Sequence, residues 1–284
     1  MTARLEGPDY PAPAKLNLFL HVVGRRADGY HLLQSAFTLI GRADQLRFAV
    51  RSDGQVRRVS DLPGVPAEAD LVVRAARALQ AACGTRLGAD IEVEKRLPLG
   101  GGLGGGSSDA ATTLVVLNHL WGARLSRAQL QAVGAGLGAD IPFFVFGQSA
   151  WVEGIGERLM PLAIPPSWYL VLQPPVSVPT AAIFAAPELT RDSEPLKIQD
   201  FSALLGAGQL RNDLEPVVAA RFPVVAEHLA WLGRVGGGRV TGSGACVFAR
   251  FGDRAAAEQA LASLPETMSG FVAQGMDAHP LRGL

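Results

Sequence analysis

Between Leu97-Pro98-Leu99 and a stretch of helical spacing the chain reads Gly100-Gly101-Gly102-Leu103-Gly104-Gly105-Gly106-Ser107-Ser108-Asp109, six glycines in seven positions from Gly100. Glycine lets backbone N–H groups approach an anion and converge on it. The helix start that follows adds unpaired N–H groups and a positive dipole end. Ala89 to Lys95 alternates as a strand upstream, and Ser108 to Trp121, closed by Gly122, has helical spacing downstream. The order strand, glycine loop, helix argues against a flexible linker and for a phosphate-binding loop. A Walker A loop needs Lys and then Ser or Thr after its last glycine, and Ser107 stands where that lysine belongs. A dinucleotide fingerprint can be picked out at Gly100, Gly102 and Gly105, but so dense a run produces that match by composition alone. No acidic residue ends a second strand about 20 residues on, because the helix ending in Trp121 occupies that stretch.

Elsewhere strands and helices alternate without a regular repeat. Leu16, Leu18, Leu20 and Val22 alternate with Lys15, Asn17, Phe19 and His21, which predicts a half-buried strand with Lys15 and Asn17 on one face. It ends in the turn-like Arg26-Ala27-Asp28-Gly29, and a second strand starts near Tyr30 and His31. A second hairpin is expected around Asp44 to Val59, then helices over Asp70 to Ala82 and Ser126 to Gly136, the latter with Ser126 as N-cap. Ala139-Asp140-Ile141-Pro142 opens an apolar segment through Phe146. Past Gly154, short strands such as Trp168 to Leu172 alternate with proline-rich breaks, which places a lobe boundary near residue 155, dividing the chain into 1–155 and 156–284. The second lobe is expected to hold helices at Leu214 to Phe222, Val224 to Leu232 and Asp253 to Leu264, a strand pair near Arg239 to Phe251 and a last strand at Phe271 to Gln274.

A chain of 284 residues is at the size, roughly 250 to 300 residues, where one hydrophobic core stops growing, so two lobes with a cleft between them are the default. Lys plus Arg and Asp plus Glu number 26 each, so no overall field recruits nucleic acid or an anionic membrane, and phosphate binding must be local. Cys83 and Cys246 have neither the CxxC nor the Cys/His spacing of a zinc site. Glu6, Pro8, Asp9, Pro11 and Pro13 stand where a signal peptide needs a basic and then an apolar segment, and no run reaches ~18 apolar residues, so a cytoplasmic protein is expected.

Proline-x-glycines-leucine-glycines-Ser-Ser resembles the phosphate loop of the GHMP kinases, the superfamily of galactokinase and of the homoserine, mevalonate and phosphomevalonate kinases. The resemblance continues in Pro13-Ala14-Lys15-Leu16-Asn17-Leu18, Arg26-Ala27-Asp28-Gly29-Tyr30-His31 and Gly138-Ala139-Asp140-Ile141-Pro142-Phe143. Asn212-Asp213-Leu214-Glu215 and Thr241-Gly242-Ser243-Gly244-Ala245-Cys246 extend it over nearly the whole chain. The Asp-Gly-Tyr-His element is its most specific part and points to the branch of the family that acts on a cytidine diphosphate ester.

The resemblance implies an α/β (α+β) two-lobe fold, with an ATP-binding N-terminal lobe like ribosomal protein S5 domain 2 and a ferredoxin-like, substrate-binding C-terminal lobe. It implies transfer of the γ-phosphate of ATP to the 2-hydroxyl of a cytidine diphosphate-linked methylerythritol, in the non-mevalonate route to isoprenoid precursors. Mg2+ is implied as the companion of ATP, with its ligands left open. The expected partner is the small-molecule substrate, with no nucleic acid and no membrane, and the chain is expected to act as a monomer or weak homodimer. Two alternatives stand beside this. Another kinase of the family, for homoserine, mevalonate or a sugar, would leave Asp-Gly-Tyr-His without a reason. A non-catalytic nucleotide-binding regulator would have no need of both Lys15 and Asp140.

Carried over residue by residue, the resemblance assigns Pro98 to Ser108 to the nucleotide's phosphates. Asp140 would accept the proton of the substrate hydroxyl, or only cap the helix that Pro142 begins. Lys15 would keep Asp140 ionised and steer the transferring group; position alone fits an exposed edge lysine equally well. Asn17 would bond substrate, and Thr180 is a weaker contact. Tyr30 and Phe184 would sandwich the cytosine while His31 bonds its edge, core packing being the alternative for Phe184. Gly242 and Ser243, with Gly244, resemble the family's third motif or else form a tight turn. Ser107, Ser108 and Asp109 open the helix, as caps or with hydroxyls that reach phosphate or Mg2+. Asp70 departs from the pattern, since relatives carry Asn there in the helix that contributes to the adenine pocket. Ionised aspartate only accepts, so Asp70 would take the adenine amino hydrogens but not pair with a ring nitrogen.

Overall fold

The computed structural model describes residues 4–284. Its frame is an antiparallel pair of long strands, β1 (Tyr10–Arg25) and β2 (His31–Arg51), paired from Tyr10 opposite Leu46 to Arg25 opposite His31. Their turn is closed by the Arg26 N–H, which donates to Tyr30 O at 2.7 Å. There follow β3 (Val56–Arg58), α1 (Leu71–Cys83), β4 (Gly88–Glu94), α2 (Gly105–Leu120), α3 (Arg127–Ala135), α4 (Ile141–Phe146), and the hairpin β5 (Ala150–Gly154) and β6 (Arg158–Pro161). Ser126 caps α3 as expected, in a capping box with Gln129, and Gly84, at φ 66°, closes α1.

β1 differs from the half-buried strand its alternation predicts. Every residue from Ala12 to Val22 is buried, Lys15, Asn17 and His21 included, because α2 packs against the strand and loops take its free edge. A bulge at Leu18 also breaks the alternation. Lys15 and Asn17 share the cleft face as predicted, but beyond the bulge Leu20 continues that face. Phe19 turns instead into an apolar layer with Trp151 and Phe201.

The hairpin expected over Asp44 to Val59 does not form. β2 runs straight on to Arg51, and β3 pairs in parallel with β4, which lies between β3 and β2. Two parallel strands cannot be neighbours through a tight turn, so β4 returns only after α1 has crossed the sheet.

The second half of the chain contains β7 (Trp168–Leu172), α5 (Thr180–Phe184), α6 (Phe201–Gly206), α7 (Glu215–Arg221) and α8 (Pro223–Val235), then β8 (Arg239–Val240), β9 (Val247–Phe251), α9 (Arg254–Ala262) and β10 (Gly270–Met276). Its strands are all antiparallel in the order β10-β7-β9-β8, the arrangement of a ferredoxin-like βαββαβ unit. The helices α7, α8 and α9 and the final strand lie where the spacing predicts them.

β2 joins the halves. One edge carries β1. The other carries β5 along Leu33–Phe37, β10 at Leu39 and Ile40, and β4 along Gln45–Arg51. An apolar layer including Leu16, Phe19, Ile40 and Trp151 from the first half, and Tyr169, Phe201 and Phe248 from the second, lies beneath this junction.

Candidate active site

The glycine loop forms one wall of a cleft of about 950 Å³. Gly102, at φ 76°, and Gly104, at φ 72°, need the left-handed region. A Cβ on Gly102 would also lie 2.2 Å from Thr241 O, and one on Gly104 2.8 Å from the Phe144 ring. The loop is tied to both halves, since Lys15 N–H donates to Leu103 O at 3.0 Å and Cys246 N–H to Gly101 O at 3.1 Å. α2 starts at Gly105 rather than Ser108, and its first internal bond runs from Ser108 N–H to Gly104 O at 2.8 Å. Ser107, Ser108 and Asp109 are therefore helix residues and not caps, and the N–H groups of the first turn remain for a ligand. Ser107 lines the cleft; Ser108 does not, and its buried hydroxyl has no partner among the described residues.

Lys15 and Asp140 meet across the cleft, Nζ to Oδ2 at 3.5 Å, with the lysine side chain 4% and the aspartate side chain 34% exposed. Asp140 stands before α4 in helical conformation and makes no side-chain capping bond, so its carboxylate is left to Lys15 and the cleft. Asn17 Oδ1 accepts from Lys15 Nζ at 2.5 Å and its Nδ2 donates to Ser35 Oγ at 3.2 Å. The Phe37 ring lies 4.7 Å from the ammonium. Asn17 thus aims the lysine, and only one amide hydrogen remains for substrate.

Behind the loop, Lys95 lines the cleft and bridges two buried carboxylates, Asp44 and, at 2.8 Å, Asp109. Asp44 also accepts the N–H groups of Arg96 at 2.6 Å and Leu97 at 2.8 Å, fixing the chain as it enters the loop. Burial pushes the Asp109 carboxyl up to about 8 against the pull of Lys95, with Asp44 adding to the rise.

The far end of the cleft is aromatic. Tyr30 stands 62% exposed on the β1–β2 turn, and the His31 and Phe184 rings lie 5.1 Å apart at 34°. Burial first, then Arg191 and Arg25, holds the His31 imidazole below its ordinary pKa. Thr180 and Ser243 share a hydrogen bond of 2.7 Å, and Gly242, at φ 57°, brings the Thr241–Cys246 turn against Asn17 and Gly102.

The cleft therefore gathers Lys15, Asn17, Tyr30, His31, Pro98 to Ser107, Asp140, Thr180, Phe184, Gly242 and Ser243. It does not include Asp70. One Asp70 carboxylate oxygen caps α1 by accepting from Val72 N–H at 3.0 Å, and the other pairs with Arg58 at 2.5 Å, so neither is directed to an adenine. Sequence reasoning passed over Lys95, Arg25 and Arg191. Glu94-Lys95-Arg96 reads as an exposed charged strand end, and the carboxylates that bury Lys95 are distant in sequence.

The GHMP kinases N terminal domain family model matches residues 70–148, and the GHMP kinases C terminal model matches residues 194–270. A 4-diphosphocytidyl-2-C-methyl-D-erythritol kinase of Thiobacillus denitrificans is 61% identical over 272 residues, 96% of each chain. The protein of that description from Aromatoleum aromaticum is 58% identical, over 97% of this chain and 95% of its own. A crystal structure of a 4-(cytidine 5'-diphospho)-2C-methyl-D-erythritol kinase superposes with a TM-score of 0.83 at 34% identity, over 94% of this chain and 99% of that one. A homoserine kinase of Cytophaga hutchinsonii, at TM-score 0.71 and 17% identity over 95% of this chain and 94% of that one, shares the fold.

Proposed function

The chain belongs to the GHMP kinases, among the 4-diphosphocytidyl-2-C-methyl-D-erythritol kinases, and on that premise we propose how its cleft divides the work. The reaction is ATP-dependent phosphorylation of 4-(cytidine 5'-diphospho)-2-C-methyl-D-erythritol on its 2-hydroxyl, a step of the non-mevalonate route to isoprenoid precursors.

Phosphoryl transfer passes through a loose transition state, so the protein chiefly aligns acceptor and donor and neutralises charge. The free N–H groups of the loop and of the first turn of α2 hold the phosphates of ATP. Asp140 takes the proton of the acceptor hydroxyl. Lys15, aimed by Asn17, pairs with that carboxylate and faces the transferring phosphoryl group. Tyr30 and Phe184 flank the cytosine while His31 bonds its edge, and Thr180 and Ser243 contact the substrate between the two ends. Residues 1–155 serve chiefly the nucleotide and residues 156–284 the substrate.

The carrying observation is the Lys15–Asp140 pair, 3.5 Å apart where loop, β1 and α4 meet. An ion carried by the phosphates of the nucleotide needs few protein ligands, and among the described residues no three carboxylate, histidine or cysteine groups converge on a metal cage. Ser107 and Asp140, a hydroxyl and a carboxylate that line the cleft, would hold such a Mg2+, which when bound would neutralise charge on the phosphates. No helix among the described residues is long and apolar enough to cross a membrane. Action in the cytoplasm as a monomer or weak homodimer, without nucleic acid or membrane, completes the proposal.

A coupled ADP-release assay offering the cytidine diphosphate substrate, homoserine and mevalonate in turn tests the assignment, and preference for either of the latter would overturn it. Asp140→Asn is expected to keep ATP binding and lose turnover by at least about 10²-fold. Undiminished turnover would remove Asp140 as the base.

A further inference from the structure

We propose that Arg191 is a positioning residue for base recognition, holding His31 neutral with its ring proton on Nδ1 and so deciding which pyrimidine edge the cleft accepts. The inference rests on the reading of Tyr30, His31 and Phe184 as the base clamp.

All three guanidinium nitrogens of Arg191 donate at that clamp or just beside it. Nε donates to His31 Nε2 at 3.1 Å, Nη1 to Leu189 O at 2.9 Å, and Nη2 to Phe184 O at 3.0 Å and Ala186 O at 2.6 Å. One side chain therefore ties the start of β2 to the end of α5, the two elements that carry His31 and Phe184. Guanidinium stays charged and can only donate. His31 Nε2 must then present its lone pair, which leaves the ring neutral with its hydrogen on Nδ1.

The charged groups around His31 agree. Arg191 from the segment after α5 and Arg25 from the end of β1 are both cationic and, with burial, oppose protonation. The Asp28 carboxylate of the intervening turn is taken by Arg26 at 2.7 Å and by Tyr30 N–H at 3.2 Å. A ring offering only an Nδ1 hydrogen suits an acceptor-rich edge. Cytosine presents acceptors at N3 and O2, whereas uracil carries a hydrogen on N3. Arg191 thereby favours cytidine over uridine without touching the base.

The test uses the full chain, with Arg191→Gln, Arg191→Lys and Tyr30→Ala compared to the parent. In 15N spectra of the parent, His31 should show a protonated Nδ1 and an acceptor Nε2. In Arg191→Gln the tautomers should mix and the His31 pKa should rise toward about 6.5. KM for the cytidine substrate should rise about tenfold, the scale of one hydrogen bond, and the preference over the uridine analogue should fall about as far. KM for ATP should not move, and Arg191→Lys should recover part of the loss. A parent His31 carrying its proton on Nε2, or an unchanged base preference in Arg191→Gln, would overturn the assignment. If Tyr30→Ala leaves the cytidine KM unchanged, the clamp reading itself falls. If Tyr30→Ala raises that KM while Arg191→Gln does not, only the role of Arg191 falls. Should Arg191→Gln fail to fold, the parent tautomer and Arg191→Lys still decide.

Discussion

Lys15 and Asp109 are both buried ionisable groups, but only Lys15 sits where its charge has chemistry to do. Lys15 has a carboxylate, an amide oxygen and a ring face around it. Asp109 shares one ammonium with Asp44, and one of its own oxygens is buried without a partner among the described residues. Its folded pKa, about 8, lies above the unfolded value of 3.8, so its contribution to stability is fully present below pH 3.8 and is lost as pH rises through 8. Asp109→Asn removes that loss and should be more stable than the parent by roughly 1–3 kcal/mol at pH 8.5, with the gap closing toward pH 4. Urea unfolding across that range checks it; a gap that ignores pH would refute the burial argument. Lys15, Asp140, Tyr30 and His31 were legible because they stand in short contiguous motifs. Lys95 and Arg191 were not, since each acquires its role from partners supplied by other elements.

The phosphate loop shows at the level of elements what a glycine run specifies and what it leaves open. The order strand, loop, helix was legible, but the helix start was read at Ser108 because serine resembles a cap. In fact Gly104 turns left-handed and lets α2 begin at Gly105. The glycines are therefore not equivalent. Gly102→Ala meets both a positive φ and a carbonyl 2.2 Å away, and should cost about 2–4 kcal/mol of stability and raise KM for ATP at least about tenfold. Gly106→Ala places its Cβ 3.7 Å from Leu71 inside a helix and should be neutral or stabilising by about 0.5–1 kcal/mol. Thermal melts and ATP kinetics on the two variants check the contrast, which equal effects would abolish. The β1 bulge and the crossing of β3 escaped the sequence for another reason. Both are fixed by which strand lies alongside, and periodicity along one segment carries no record of its neighbour.

Across the whole molecule, the segment after β10 fastens the second half to the first. His279 N–H donates to Gly147 O at 2.9 Å, and its Nδ1 accepts Leu281 N–H at 3.0 Å. Arg127 donates to Val145 O at 2.7 Å and to the carbonyl of Arg282. Burial, then the charge of Arg127, lowers the His279 pKa to about 4, below its ordinary 6.5. The unfolded chain therefore binds the extra proton, so this group's contribution is present above pH 6.5 and is lost as pH falls toward 4. His279→Asn should flatten the acid limb of unfolding free energy between those values by about 2–3 kcal/mol, and an unchanged slope in denaturant titrations would sink the assignment.

β10 has a further consequence. Lys15 lies opposite Leu39 in one ladder, and Leu39 lies opposite Met276 in the next. The strand that carries the lysine is thus one ladder removed from a strand of the second half, with β2 as the go-between. The seam at Leu39 and Ile40 that binds the halves together also steadies the backbone beside Lys15, so loosening the second half reaches the lysine–aspartate pair without touching either residue.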